Sequence, residues 1–553
     1  MRITDRSDLW WKTAVVYCLD VETYMDWNDD GSGDFAGLAH RLDHLAELGV
    51  TCIWLMPFQP SPDRDDGYDI TDFFGVDTRL GSLGDVAEFT RTARDRGMRV
   101  IIDFVMNHTS DKHPWFTSAR RSRSSPYRDW YVWRDDPPKT PNEVFPGEED
   151  SIWELDERSG QYYLHSFYRH QPDLNIANPA VRDEIAKTIG YWLQLGISGF
   201  RVDAVPFLIE PPEGVDMGDP HEFLRDIRRF LQRRSSEAML LGEVNLPFDG
   251  QLDFFGRAGA PAELTMQFDF VGMQALYLAL ARQDARPLAA ALEARPTLEP
   301  EAQWANFVRN HDELTLDKLS KAEREEVFAA FAPEEWMRVY DRGIVRRLPP
   351  MLDGDPRRIR MVYSLLFSLP GTPVLFYGEE IGMGENPAQE GRQAVRTPMQ
   401  WTGGANGGFS RAIPSRLAAT PPGDGFAPEH VNVEAQMHDP DSLLSFMKRL
   451  TARYRSSPEI GWGAFDLLAT EHDAILAHRI TADVGRFVAV HNFAAVPAIV
   501  SLDLGATAPE SVLSDLFDVA TTPIDDHGRV EVHLEAFGYR WFRIVEPDDR
   551  RIT

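Results

Sequence analysis

Four short runs in this chain of 553 residues carry polar side chains where an apolar stretch of buried-strand length comes to an end. They are Asp103-Phe104-Val105-Met106-Asn107-His108, Gly199-Phe200-Arg201-Val202-Asp203, Leu240-Leu241-Gly242-Glu243 and Arg309-Asn310-His311-Asp312. A core would not choose such ends, because burying an unpaired polar group costs free energy. Carboxylates at the C-terminal ends of successive parallel strands are how a (β/α)8 barrel assembles a site. Breaking a glycosidic bond needs a pair of carboxyl groups, one to protonate the leaving oxygen and one to attack or activate water. A single Asp or Glu at a strand end is usually a helix cap or a surface charge. Four in series, each with a flanking Arg, Asn or His, point instead to chemistry on carbohydrates.

The elements that must hold these residues follow from pattern. Eight strands are expected: Ala14–Val21, Cys52–Pro57, Arg99–Val105, Gly199–Val205, Ala238–Val244, Leu264–Phe270, Gln303–Asn310 and Pro373–Glu380. Most are continuous apolar runs, as parallel strands covered on both faces should be. Helical stretches separate them. The clearest opens at Asn178-Pro179, a cap followed by proline at the first helical position. Val181, Ile185, Ile189, Trp192 and Leu193 then recur at helical spacing before Gly196 stops it. Strand and helix alternating eight times is the pattern of an α/β TIM barrel.

Two regions break the rhythm. Residues 109–177 are rich in Pro, Arg and aromatics and too long for a simple loop, so a small inserted domain is expected there. After about residue 460, short strand-like runs (Ile475–Ile480, Phe487–Phe493, Ala498–Leu504, Val530–Leu534, Arg540–Ile544) suggest a C-terminal antiparallel β-sandwich. The expected layout is barrel over 1–108 and 178–459, with an insert at about 320–355, inserted domain over 109–177 and sandwich over 460–553.

A net charge of −30 argues against nucleic acid or an anionic membrane surface as partner. The two cysteines, Cys18 and Cys52, fall in expected strands, where buried free thiols are more natural than a disulfide. Met1–Arg6 lacks the apolar core of a signal peptide, and no run is long enough to span a bilayer, so the expected compartment is the cytoplasm. No organic cofactor is expected. A homo-oligomer is compatible with the sequence, which does not fix the oligomeric state.

The four runs resemble the signature regions of the α-amylase superfamily of glycoside hydrolases, and Gln171-Pro172-Asp173-Leu174-Asn175 resembles the signature of its oligo-1,6-glucosidase branch. The resemblance extends over nearly the whole chain. Arg64–Ile70, Asn107–Phe116, Arg309–Leu316, Gly343–Leu348 and Val395–Trp401 are most similar to branch members that convert maltose to trehalose. The resemblance implies Asp203 as nucleophile, Glu243 as general acid and base, and Asp312 as a carboxylate that binds sugar hydroxyls and distorts the ring. It also implies that Arg201 keeps Asp203 ionised, that His108 and His311 donate to glucose hydroxyls, and that Tyr68 offers a stacking face. Asp66 and Arg396 would form an ion pair closing the far end of the glucose pocket. Ala204, small and next to the nucleophile, goes with α-1,4 linkages in related glucosidases.

Asp26-Trp27-Asn28-Asp29-Asp30-Gly31-Ser32-Gly33-Asp34 sets oxygen donors at alternate positions around a glycine turn, like the start of an EF-hand loop. The family places a structural Ca²⁺ here, with Asp26, Asn28, Asp30, Ser32 and Asp34 as ligands and Mg²⁺ as an alternative occupant. The plainer reading is an Asx-turn cluster without metal.

Three departures from those relatives bear on the activity. The run Tyr17–Tyr24 lacks the His and the basic residue that relatives usually carry there, Gln59 stands where an aromatic is usual, and Gly242–Pro247 differs from the typical motif. Retaining chemistry on a small-molecule α-glucoside is expected, with maltose isomerised to trehalose and some hydrolysis. An exo-acting α-glucosidase or transglucosidase, and a non-catalytic sugar-binding relative, are the alternatives. The inserted domain and Ser320–Asp355 are the expected lid elements.

Overall fold

Apolar runs too short to be helices build eight strands, which close into a parallel barrel in the computed structural model. They are β1 (Val16–Leu19), β2 (Cys52–Leu55), β3 (Arg99–Phe104), β4 (Gly199–Val202), β5 (Met239–Gly242), β6 (Met266–Phe268), β7 (Gln303–Phe307) and β8 (Thr372–Phe376). Each strand pairs with the next, and β8 returns to β1 with Val374 opposite Val16. Residues 9–209, 218–256, 262–547 and 549 are described. The Met1–Arg6 segment lies outside them.

All eight expected strands are present, but several end early. Asp269, expected inside a strand, accepts a hydrogen bond from Gly272 N and caps the helix Phe270–Arg282. Gly378 adopts φ 82°, so the run expected to reach Glu380 turns after Phe376 into the 3-10 turn Glu379–Ile381. Shorter strands release the polar residues that follow them to the barrel mouth. The helix Pro179–Gln194 forms as expected, with the Asn178 side chain accepting from Ala180 N.

Residues 109–177 carry a three-stranded antiparallel sheet in which Gln161–Leu164 lies between Trp133–Arg134 and Trp153–Asp156. This sheet packs over the barrel mouth, tied down by a bridge between His108 and Asp173. The segment 320–355 begins with the helix Lys321–Phe331 and folds back through Arg338–Val339 and Gly343–Ile344 onto Leu314–Thr315.

The C-terminal region is a sandwich. A six-stranded antiparallel sheet faces the two-stranded sheet of Ala498–Asp503 and Arg529–Leu534. Val488, Val490, Phe542 and Ile544 meet Val500, Leu502, Val530 and Val532 between them. It rests on the helix Pro356–Ser368, where Ser364 Oγ accepts from Trp541 Nε1 at 3.0 Å and lies 3.0 Å from His491 Nε2. Cys18 and Cys52 are buried free thiols. Among the described residues no helix is long and apolar enough to cross a membrane.

Candidate active site

Asp103 of β3 and the carboxylates that follow β4 and β5 converge on one guanidinium. Arg201 lies in β4, and side chains two apart on a strand share a face, so it emerges beside Asp203. Its Nη1 reaches Asp103 Oδ1 at 2.6 Å and also bonds Asp203 Oδ1, while Nη2 reaches Glu243 Oε2 at 2.8 Å. Asp103 Oδ2 in turn accepts from Trp54 Nε1 at 2.9 Å and Tyr68 Oη at 3.1 Å. Arg201 is fully buried, so these contacts act with little screening from water.

The carboxyls are driven apart in acidity. Burial pushes Asp203 up to about 6, with Arg201 pulling the other way. Burial pushes Glu243 up to about 7; Arg201 opposes the rise and the neighbouring Asp203 adds to it. Arg201 therefore limits the upward shift of Asp203 rather than holding the group at an ordinary acidity. Burial would raise Asp312 too, but His311, Arg392 and Arg396 outweigh it and hold that carboxyl well below the usual range. Near neutral pH the site holds an ionised Asp203, a Glu243 shared between protonated and ionised forms, and an ionised Asp312.

Asp312 is the most heavily engaged. His311 Nε2 lies 3.0 Å from its Oδ2, while Arg392 Nη1 and Arg396 Nη2 reach its Oδ1 at 2.8 and 3.2 Å. Arg396 also pairs with Asp66 Oδ2 at 2.8 Å and donates from Nε to the His311 carbonyl at 2.9 Å.

A cavity of about 740 Å³ opens above these groups. Asp203, Glu243, Asp312, Tyr68 and His108 line it, whereas Asp66, Arg201, His311 and Arg396 stand behind its wall. His311 Nε2 is occupied by Tyr68 Oη at 2.7 Å as well as by Asp312, so His311 orients neighbours instead of facing the cavity. His108 Nε2 contacts the Tyr68 carbonyl at 3.2 Å, and burial lowers this histidine to about 3, leaving it neutral. The Tyr68 ring stacks on His311 at 5.6 Å and 12°. Leu246 lines the cavity; Gln59, buried elsewhere, does not.

The roof comes from both segments that interrupt the barrel pattern. Val144, Phe145 and Phe167 of the 109–177 region and Arg342 of the 320–355 region line the cavity. Arg342 Nη1 donates to the Glu143 carbonyl at 3.0 Å and Nη2 to that of Val144. Tyr168 Oη and Tyr340 Oη are 3.2 Å apart. Sequence reasoning missed Asp65, Arg342 and Arg392. Asp65 lies inside the run Arg64–Ile70, whereas Arg342 and Arg392 stand just before the runs Gly343–Leu348 and Val395–Trp401, and that proximity is the local signal that could have found them.

In the 26–34 loop the oxygen donors are turned inward. Asp26 accepts from Asp29 N at 2.7 Å, Gly31 N at 2.8 Å and Ser410 Oγ at 2.6 Å; Asn28 accepts from Asp30 N and Asp30 from Ser32 N, each at 2.9 Å. Asp34 accepts from Gly37 N at 2.7 Å and caps the helix Phe35–His40. These are Asx-turn contacts. Asp26 Oδ2 accepts two of these bonds, whereas Asn28 Oδ1, Asp30 Oδ1 and Asp34 Oδ1 each accept one and keep a second lone pair, the hard oxygen chemistry a cation such as Ca²⁺ takes.

Residues 21–331 and 346–463 match the family model described as alpha amylase, catalytic domain, and residues 485–543 match sucrose hydrolase-like, C-terminal domain. The chain belongs to the α-amylase family. Within that family it is a glucosyl-transferring enzyme. It is 39% identical over 554 residues to the trehalose synthase of Pimelobacter sp. (strain R48), covering 98% of this chain and 96% of that protein. It is 31% identical over 550 residues to the oligo-1,6-glucosidase of Parageobacillus thermoglucosidasius, covering 88% and 90%. Among solved structures, isomaltulose synthase from Klebsiella sp. LX3 superposes with TM-score 0.77 at 25% identity, over 97% of this chain and 99% of that one.

Proposed function

We propose that this enzyme isomerises maltose to trehalose through a covalent glucosyl-enzyme, with hydrolysis as a side reaction. The observation that carries the proposal is the roofed cavity, in which an attacking and a protonating carboxyl stand beneath two segments latched to each other. Asp203 attacks the anomeric carbon of the non-reducing glucose while Glu243 gives its proton to the departing glycosidic oxygen. Both carboxyls sit on one guanidinium fork, a short separation that suits retention better than a gap holding water. The released glucose stays under the roof and turns. Its anomeric hydroxyl then attacks the glucosyl carbon as Glu243 takes the hydroxyl proton, freeing Asp203 and leaving trehalose. Exclusion of water decides between this outcome and glucose.

The similarity to trehalose synthases supports the same reading. A cavity of this volume lies within the roughly 300–1,000 Å³ common for small ligands, which suits a short glucoside over a polymer. Ca²⁺, held by Asp26, Asn28, Asp30, Ser32 and Asp34, would brace the loop against charge repulsion, and no step of the reaction passes through it. Cytoplasmic residence fits the two unpaired thiols. Leu246, apolar on the cavity wall, favours a second reading, an α-glucosidase or transglucosidase with a weaker hold on the departing glucose.

Incubating the protein with maltose and separating the sugars tests the proposal. Trehalose as main product is expected, and Asp203→Ala should abolish it while the protein stays folded. Glucose or longer glucosides without trehalose would move the enzyme to the second reading.

A further inference from the structure

Two arginines approach the same oxygen of Asp312 from one short turn. Arg392 lies in the 3-10 turn Gly391–Val395 and Arg396 directly follows it. Their surroundings differ. Arg396 is fixed by the barrel, through the His311 carbonyl and Asp66. Arg392 takes its support from the roof. Its Nη2 reaches Asp65 Oδ1 at 2.6 Å, and Asp65 Oδ2 accepts from Gln171 Nε2 at 2.8 Å. Its guanidinium lies over the Phe145 ring at 5.4 Å. Phe145 stacks on Tyr168 at 4.4 Å and packs 5.0 Å from Tyr340, so both roof segments bear on this one cation.

We propose that Arg392 is a positioning residue that couples closure of the roof to the placement of Asp312, and so sets how much of each turnover ends in transfer rather than hydrolysis. With the roof shut, Arg392 is held between two carboxylates with its side chain only 13% exposed, so its charge-assisted hydrogen bonds are strong. A planar fork can span both at once, which an ammonium group cannot do with the same rigidity. With the roof raised, Phe145 and Gln171 withdraw, water reaches the guanidinium, and Asp312 is left to Arg396 and His311. Closure and sugar alignment thereby become one event.

The inference rests on the proposed transfer reaction, and its test is arranged to stand apart from it. An aryl α-glucoside loads the glucosyl-enzyme, and added glucose competes with water for it, so the transfer-to-hydrolysis ratio is measurable whatever the natural product. Arg392→Gln should lower that ratio about threefold or more and raise KM more than it lowers the rate of aryl release, with Arg392→Lys between it and wild type. Phe145→Leu should lower the ratio on its own but add little once Arg392→Gln is present, because the two act through one contact. Melting temperatures of all variants separate positioning from loss of fold. Fully additive effects of the two substitutions, or an unchanged ratio with only a lower melting temperature, would overturn the coupling. A wild type that makes no trehalose from maltose would sink the proposed isomerisation while leaving this ratio to be read.

Discussion

Ala204 donates its backbone N–H to Oε2 of Glu243 at 3.2 Å. The residue after one carboxylate thus holds the other, and it does so from a left-handed backbone with φ 47°. A side chain in that region costs energy that glycine would not pay, and a β-branched one costs more. Ala204→Gly should keep activity and gain up to about 1 kcal/mol of stability. Ala204→Val should lose about 1–3 kcal/mol and most turnover. Denaturant melts and initial rates check both, and a valine variant as stable and active as wild type would show that the turn carries no strain.

The two carboxyl acidities set a pH window. Asp203 must be ionised to attack, so kcat/KM should fall as pH drops below about 6. Glu243 must carry its proton for the first step, so activity should fall as pH rises above about 7. Glu243→Gln should remove the alkaline limb and slow the enzyme by about 10²–10⁴-fold, less with a good leaving group. A flat profile across both limbs would discard these roles.

Asp66→Ala tests the pocket wall. It removes one of the two carboxylates on buried Arg396 and leaves Asp312 as the remaining partner. Maltose KM should rise and longer maltooligosaccharides should become substrates. Rates on maltose and maltotetraose decide it; an unchanged preference would mean that the cavity ends elsewhere, at Asp65 and Arg392.

Chelation tests the Asp26–Asp34 loop. If Ca²⁺ braces it, EDTA should lower the melting temperature and added Ca²⁺ should restore it, with Mg²⁺ less effective because it demands stricter octahedral geometry. A melting curve indifferent to both would leave the loop as a cluster of Asx turns.

The barrel was legible because its strands are local and apolar, and the carboxylates because each follows such a run. Less visible were Ala464–Leu468, Val512–Asp515 and Thr521–Pro523, three short strands of the sandwich. Ala464–Leu468 and Thr521–Pro523 are half exposed, so no apolar run announces them. Strand ends were overrun where a cap at Asp269 or a glycine at 378 outweighed the apolar run. Within the site, Arg392 meets Asp312 across 80 positions and Asp65 across 327, contacts that no short motif encodes. Arg342 is hidden for the same reason, since it bonds backbone carbonyls whose position depends on the roof. His311 meets both Tyr68 and Asp312 through Nε2, a pairing that the short motif does not announce.

Ser364 belongs to a barrel helix yet serves Trp541 and His491 of the sandwich. The C-terminal portion is therefore not an interchangeable cassette. A chimera spliced near residue 460 would meet its new partner with a hydroxyl, an indole and an imidazole left unmatched at a dry seam. Grafting should succeed when the 356–368 helix travels with the strands it supports.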